Sequence, residues 1–532
     1  MDTFVRPARV MPVYAARGMC ATSNHLAAQA GLDAIKRGGN AFDAAIACAS
    51  CLTVLEPQSN GVGGDAFALI WSGGKLYGLN ASGYSGSGCT PEALQGLGLS
   101  AMPRYGFPSV TVPGAPSAWA AVNRRFGRLP LADVMSAAIS YAEDGQAVSQ
   151  SLSRSIGRFA GLLRENTGGT GAFAHWYETF CPDGNVPAAG AMFRNPGLAE
   201  TLRTLANSGC EDFYRGGLAK RMAAFFSGNG GFINDADLRD YHPDWVDPIS
   251  VHYRGYDVCE IPPNGQGLVA LMALNILSGF EASRAGDPSC VHREIEALKL
   301  AFADGKRYIA DPRFMEYSVS DLLSSAYAAQ RRAEIGESAI LPTCGKPSGS
   351  GTVYLCAADG EGNMISYIQS NYAGFGSGLV VPGTGIALQN RGLGFSLDSA
   401  MPGCAGPRKK PYHTIIPGFL MKDGQAVGPF GVMGGFMQPQ GHLQTLLRVI
   451  DHGCDPQAAL DTPRWQWTGD RKIEIEPSFP ADIACDLRAR GHELSVQNNL
   501  GEFGRGQMIF RTETGTLVGG TEPRCEGACA AW

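Results

Sequence analysis

The sequence predicts an α/β protein built in layers. Near the amino end, two consecutive helical patterns run into a pair of apolar strands. The middle of the chain is mainly helical. From Thr352 onward, short apolar strands alternate with glycine-rich turns. Composition agrees with a large globular chain of 532 residues, 44% hydrophobic and 17% charged. That length fits two or three domains, or one large sandwich with insertions.

In TSNHLAAQAGLDAIKRGGN, Ser23 or Asn24 can cap a helix running to about Arg37, and Gly38, Gly39 and Asn40 stop it. A second apolar helix spans about Ala41 to Leu55. QSNGVGGDAFALIW then gives a glycine-rich turn and a strand, and KLYGLNASG a second strand. From about 115 to 250 helical periodicity dominates, as in GRLPLADVMSAAISYAEDG. The stretch 285–335 is helical too, most clearly in HREIEALKLAFADGKRYIADP. Residues 335–351 are a loop, with Pro342, Gly345, Pro347, Gly349 and Gly351 close together. TVYLCAAD, the turn DGEGN and MISYIQS read as an antiparallel hairpin. Further strands are expected at GIALQ, TIIPGFLM and AVGPFGVMGG, and helices at HLQTLLRVIDHG and DIACDLRARGH.

Several function classes are disfavoured. A net charge of −6 and a pI near 5.9 lack the basic stripe that a nucleic-acid partner requires. No stretch approaches 18 charge-free apolar residues, so no membrane span is expected. Arg6, Arg9 and Arg17 interrupt every candidate apolar core of a secretory signal, which predicts a cytoplasmic protein. The 15 cysteines are odd in number and scattered, as suits reduced thiols. Cys48 and Cys51 form a C-x-x-C inside an alanine-rich helical pattern, where packing explains them better than metal or redox chemistry. There is no H-E-x-x-H, and the nine histidines do not cluster at ligand spacing, so no metal and no cofactor are expected.

The chemistry-bearing signal is PSGSGTVYLCAAD. A flexible small-residue tract abuts a threonine that opens a strand. This suits a nucleophile whose own α-amino group becomes its base once the chain is cut before it, and it also suits an ordinary loop entering a strand. No G-x-S-x-G elbow competes with it. GEFGRG, at 501–506, matches a nucleotide loop only loosely.

Nearly end to end, the chain resembles the γ-glutamyltransferase family of N-terminal-nucleophile hydrolases. The segments that carry the likeness follow in the family's order: GMCATSNHLAAQAGLDAIKRGGNAFDAAIACASCLTVLEPQSNGVGGDAF, SVTVPGAPSAW with FGRLPL, EALKLAFADGKRYIADP, TVYLCAADGEGNMISYIQSNYAGFGSG and GVMGGFMQPQGHLQ. The resemblance implies a four-layer αββα sandwich and an autoprocessed amidohydrolase. Its nucleophile falls on Thr352, and self-cleavage between Gly351 and Thr352 would give a large subunit of residues 1–351 and a small subunit of 352–532. The two would remain associated, and a dimer of such pairs is one assembly the family allows. Ser370 falls where the family has a hydroxyl supporting the nucleophile. Gly434 and Gly435 match its oxyanion pair, and Asn371, Arg391, His413, Thr414 and Gln438 fall around the expected substrate pocket.

The chain departs from the family where classical members grip the glutamyl group. No Arg or Lys lies between Lys75 and Arg104, Gly394 replaces an Asp, and His413-Thr414 replaces a Ser-Ser pair. Without that Asp, a buried substrate ammonium would lack its counter-charge. Arg391 can still hold a carboxylate. The expected substrate is therefore a small carboxylate-bearing amide of the oxamate type. The alternatives are γ-glutamyl amides, by hydrolysis or transfer, and the acyl amides of cephalosporin-type acylases.

Overall fold

A computed structural model describes residues 11–282, 285–342 and 352–532. Asn24 accepts the Leu26 N–H (3.0 Å) and opens the helix His25–Lys36. Asn40 and Asp43 form a capping box that opens Ala41–Leu55. Every residue of this second helix is buried, so it sits within the molecule and shows no amphipathic stripe.

The strands form two seven-stranded antiparallel sheets. The first runs, in order, Ala528–Ala531, Gly18–Thr22, Val353–Asp359, Met364–Ser370, Asp65–Ser72, Lys75–Ala81 and Asp244–Val246. The second runs Val13–Ala15, Leu517–Thr521, Arg505–Arg511, Gln425–Met433, Gly418–Lys422, Tyr256–Glu260 and Ile249–Tyr253. Each sheet takes strands from both sides of residue 352.

Side-chain alternation defines the layers. Tyr354, Cys356 and Ala358 join Phe67, Leu69, Phe419 and Ile509 in a core between the sheets. Val353, Leu355 and Ala357 point the other way, into a core shared with Ala41–Leu55 and its neighbouring helices. Val258, Leu420, Phe430 and Met508 of the second sheet likewise face the helices Gly267–Leu277, Pro288–Tyr308 and Met437–Ile450. The order helix, sheet, sheet, helix is the αββα sandwich. The sheets approach closely where Tyr354 lies over Gly431: a β-carbon there would stand 2.4 Å from the ring. Among the described residues, no helix is long and apolar enough to cross a membrane, and all cysteines are free thiols.

Two expected strands differ. GIALQ forms only the single bridges Gly63–Leu388 and Val380–Ala387, because Gly383 (φ 66°) and Gly385 (φ 67°) turn the chain out of extended geometry. In TIIPGFLM the strand starts only at Gly418, since Pro417 has no N–H for a ladder.

Candidate active site

Strand register builds the site. Val353 pairs with Gln369, and Ser370 pairs with Asp65. Thr352, Ser370 and Asp65 therefore follow one another across three strands at one end of the first sheet. By alternation all three face the second sheet, as Tyr354, Ile368 and Phe67 do. All three are fully buried. Thr352 Oγ1 lies 3.0 Å from Ser370 Oγ, which also accepts the Tyr372 N–H at 2.8 Å. Gly351 lies outside the described residues.

Around Asp65 the polar groups converge. Its Oδ1 accepts the Gly83 N–H (3.2 Å), and its Oδ2 accepts from His413 Nε2 (3.0 Å). His413 Nδ1 accepts the Ile415 N–H (3.4 Å), which puts the ring proton on Nε2. Burial, with Arg391 and Lys410 nearby, holds this imidazole well below its usual range, so it is neutral. Burial also pushes the Asp65 carboxyl up to about 7, against the opposing pull of Arg391.

Arg391 is fully buried, and burial lowers it to about 10, so it stays charged at neutral pH. Its Nη1 donates to Thr414 Oγ1 (2.8 Å), its Nε stands 4.0 Å from Asp65 Oδ2, and its guanidinium lies 4.3 Å from the centre of the Tyr372 ring. Nε and Nη2 have no hydrogen-bond partner. These two donors share one edge of the planar guanidinium, the fork that pairs with a two-oxygen anion. Tyr372 supports the arrangement at φ 75°, a left-handed conformation that costs a non-glycine residue roughly 1–2 kcal/mol.

The remaining residues close the ring. Gln266 Nε2 donates to both Thr414 O (2.6 Å) and Gly435 O (2.8 Å), and the Tyr412 hydroxyl donates to Gln266 Oε1 (3.0 Å). Gly434 (φ 140°) and Gly435 (φ 59°) occupy conformations that favour glycine, just before the helix Met437–Ile450. Their N–H groups have no acceptor among the described residues. Gln438 Oε1 accepts the Ile416 N–H (2.9 Å), and its Nε2 is buried without a partner. Asn371 donates its backbone N–H to Ser59 O (3.1 Å), and its side-chain Oδ1 is likewise buried and unpaired. Gln440 is engaged with the backbone of Trp467 and belongs to the helix packing.

The structure thus joins Thr352 with Ser370, and Arg391 with Thr414 and His413 through Asp65. His413 stands in the site with both ring nitrogens engaged within the chain. Asp65, Tyr372 and Gln266 escaped sequence reasoning. At Gly394, a β-carbon would stand 2.4 Å from the Tyr412 carbonyl oxygen, so the backbone here leaves no room for the family's Asp.

Among the described residues, His292, Glu296 and His492 alone gather enough ligand atoms for a metal. His292 Nδ1 lies 2.9 Å from His492 Nε2, and Lys299 Nζ donates to Glu296 Oε1 at 2.8 Å. The chain supplies its own cation there. The cluster clamps the stretch 336–340 through Gly336 O, Ile340 O and the Ile340 N–H.

Two facing seven-stranded sheets between helical layers, with a threonine opening a central strand, are the architecture of the N-terminal-nucleophile hydrolases. The chain belongs to the gamma-glutamyltranspeptidase family, whose profile matches residues 27–532, and it is an enzyme of that family. It is 36% identical to the glutathione hydrolase-like YwrD proenzyme of Bacillus subtilis, and 35% identical to the oxamate amidohydrolase proenzyme of Klebsiella pneumoniae. In both cases the match covers 97% of this chain and 98% of the relative. The crystal structure of a cephalosporin acylase from Bacillus halodurans superposes with a TM-score of 0.96 at 54% identity, covering 99% of this chain and 98% of that one.

Proposed function

We propose that the chain is a self-processing amidohydrolase that cleaves a small carboxylate-bearing amide, of the oxamate type, through Thr352. The observation that carries this reading is the Nε–Nη2 edge of the fully buried Arg391, which makes no hydrogen bond and meets Asp65 Oδ2 only at 4.0 Å, in a site that includes Thr352 and Ser370. A buried guanidinium edge whose two donors make no hydrogen bond invites a carboxylate. The oxamate amidohydrolase relative supports the substrate class. So does the lack of room for an Asp at Gly394, since a substrate ammonium would have no counter-charge there.

In the proposed maturation, Thr352 Oγ1 attacks the carbonyl of Gly351. The C–N bond breaks to leave an ester, and water hydrolyses it to free residues 1–351 from 352–532. The new α-amine titrates near ~7.7–8.0, so a useful fraction is neutral at pH 7–8 and can act as base. In turnover the Thr352 Oγ1 proton passes to this amine as the C–O bond to the substrate carbonyl forms. The same proton goes to the leaving nitrogen as the C–N bond breaks, releasing ammonia. Water then hydrolyses the acyl-threonine to the dicarboxylate. The N–H groups of Gly434 and Gly435 would receive the oxyanion, and one such donor is worth roughly 3–4 kcal/mol of barrier.

The close cephalosporin acylase neighbour favours a second reading, a larger acyl amide at the same nucleophile. An ammonia-release screen of oxamate and related carboxylate amides, run beside cephalosporin and γ-glutamyl donors, separates the two. Turnover of γ-glutamyl-p-nitroanilide with no ammonia from oxamate would overturn the oxamate reading. Denaturing electrophoresis tests the processing: wild type should give two bands and Thr352→Ala one.

A further inference from the structure

We propose that Asp65 is the proton-accepting counter-charge of the carboxylate clamp: when Arg391 receives an anionic ligand on its Nε–Nη2 edge, Asp65 takes up one proton. This rests on the reading of Arg391 as the clamp, and adds how the site balances its charge. The geometry demands some such response. Asp65 Oδ2 stands 4.0 Å from Nε, one of the two donors an incoming carboxylate would occupy. A ligand oxygen at ~2.9 Å from Nε would lie beside that Oδ2. Two carboxylates in one dry site cannot both remain ionised. A protonated Asp65 instead donates its new O–H to the ligand, and one negative charge then faces one guanidinium.

The neighbours leave Asp65 as the group that answers. His413, on its other side, is held neutral with both nitrogens engaged. Tyr214 and Tyr241, in the adjoining helical layer, are pushed far above 10 by burial, and Tyr372 is raised as well. Lys410 exerts a smaller pull than Arg391. The remaining titratable group is the Thr352 α-amine that maturation would create, on the strand beside Ser370. Asp65 is already poised near 7. A bound anion raises it further, so affinity is highest below about pH 7 and falls as pH rises.

The test uses the matured enzyme with oxalate as probe, in calorimetric titrations at pH 7.5 in phosphate and in Tris, whose ionisation enthalpies differ. With Asp65 near 7, about a quarter of it already carries the proton at pH 7.5, so the buffer dependence should report about three-quarters of a proton taken up per oxalate bound. The dissociation constant should rise about fivefold from pH 7 to 8 and about ninefold from pH 8 to 9. Asp65→Asn should bind oxalate with no such uptake and with a flat pH profile. Arg391→Met, and Arg391→Lys, which keeps the charge without the fork, should weaken binding at least tenfold. Oxalate that fails to bind wild type, or binds Arg391→Met as tightly, removes the clamp reading and this proposal with it. Binding that needs Arg391 yet takes up no proton overturns the role of Asp65 alone. The same holds for uptake that persists in Asp65→Asn, which would assign it to the Thr352 amine. Should Asp65→Asn fail to fold, infrared difference spectra of the wild type decide: a protonated-carboxyl C=O band gained on oxalate binding supports Asp65, and proton uptake without such a band overturns its role.

Discussion

Replacing Ser370 by Ala removes one hydroxyl from the centre of the site and touches no outer surface. Two fully buried contacts go with it: the 3.0 Å contact to Thr352 Oγ1, and the 2.8 Å bond accepted from the Tyr372 N–H. The orphaned amide costs about 1–3 kcal/mol, and the lost partner of Thr352 about 0.5–1.5 kcal/mol. The orphaned amide also bears on Tyr372, whose left-handed backbone and ring support Arg391. If about 1.4–2.8 kcal/mol of this is felt in the transition state, self-cleavage and turnover slow by about 10- to 100-fold. A time course of precursor splitting on denaturing gels measures the first, and ammonia release by matured protein the second. Ser370→Thr keeps the hydroxyl and should stay within a few-fold of wild type. A Ser370→Ala precursor that splits at the wild-type rate would refute the assignment of Ser370 as partner of the nucleophile.

Other perturbations reach other parts of the molecule. Lys299→Met strands Glu296, buried to the same full extent, and should destabilise the fold by about 3–5 kcal/mol in a urea titration; Lys299→Met combined with Glu296→Gln should recover much of that. His492 is pushed down to about 3 by burial and the neighbouring Lys299, so the fold keeps it neutral. Its contribution is intact above pH 6.5 and is lost as pH falls toward 3, at up to ~1.4 kcal/mol per pH unit, and His492→Asn should flatten that slope in acid-unfolding curves. Gly394→Asp, which restores the family's residue, forces a β-carbon to 2.4 Å from the Tyr412 oxygen. It should cost about 1–3 kcal/mol in thermal melts, and γ-glutamyl-p-nitroanilide turnover should not appear.

Much of the layering was legible because burial writes itself into period. Val353–Asp359 and Met364–Ser370 read as a hairpin because both are mostly apolar, with a turn of Gly, Glu, Gly and Asn between them. The helix over 41–55 was legible from its cap and its length. Thr352 and Ser370 could be placed by register within one hairpin. Asp65 could not, because its pairing with Ser370 joins strands separated by most of the large amino-terminal segment, and no local signal announces it. Counting back along Met364–Ser370 and Asp65–Ser72 as neighbours would have found it, given the sheet order. Tyr372 left no trace, since a positive φ at a tyrosine is imposed by its surroundings and not by its own preference. GIALQ failed for the opposite reason: its composition suits a strand, but two glycine turns and the wall of the site claimed it.

The interleaving of strands gives the proposed cut an unusual character. Residues 1–351 and 352–532 each hold part of both sheets, so neither piece alone could close a core: the pair Val353–Asp359 and Met364–Ser370 fills the gap between Gly18–Thr22 and Asp65–Ser72, and in the second sheet four contiguous strands of 352–532 are flanked on both sides by strands of 1–351. Synthesis as one chain removes that assembly problem: it delivers the two pieces in equal number, already entangled, and lets folding precede scission. After the cut no covalent bond joins them, yet separating them would mean dismantling both sheets at once. The two fragments would therefore dissociate only as fast as the whole molecule unfolds, and dilution would not drive them apart.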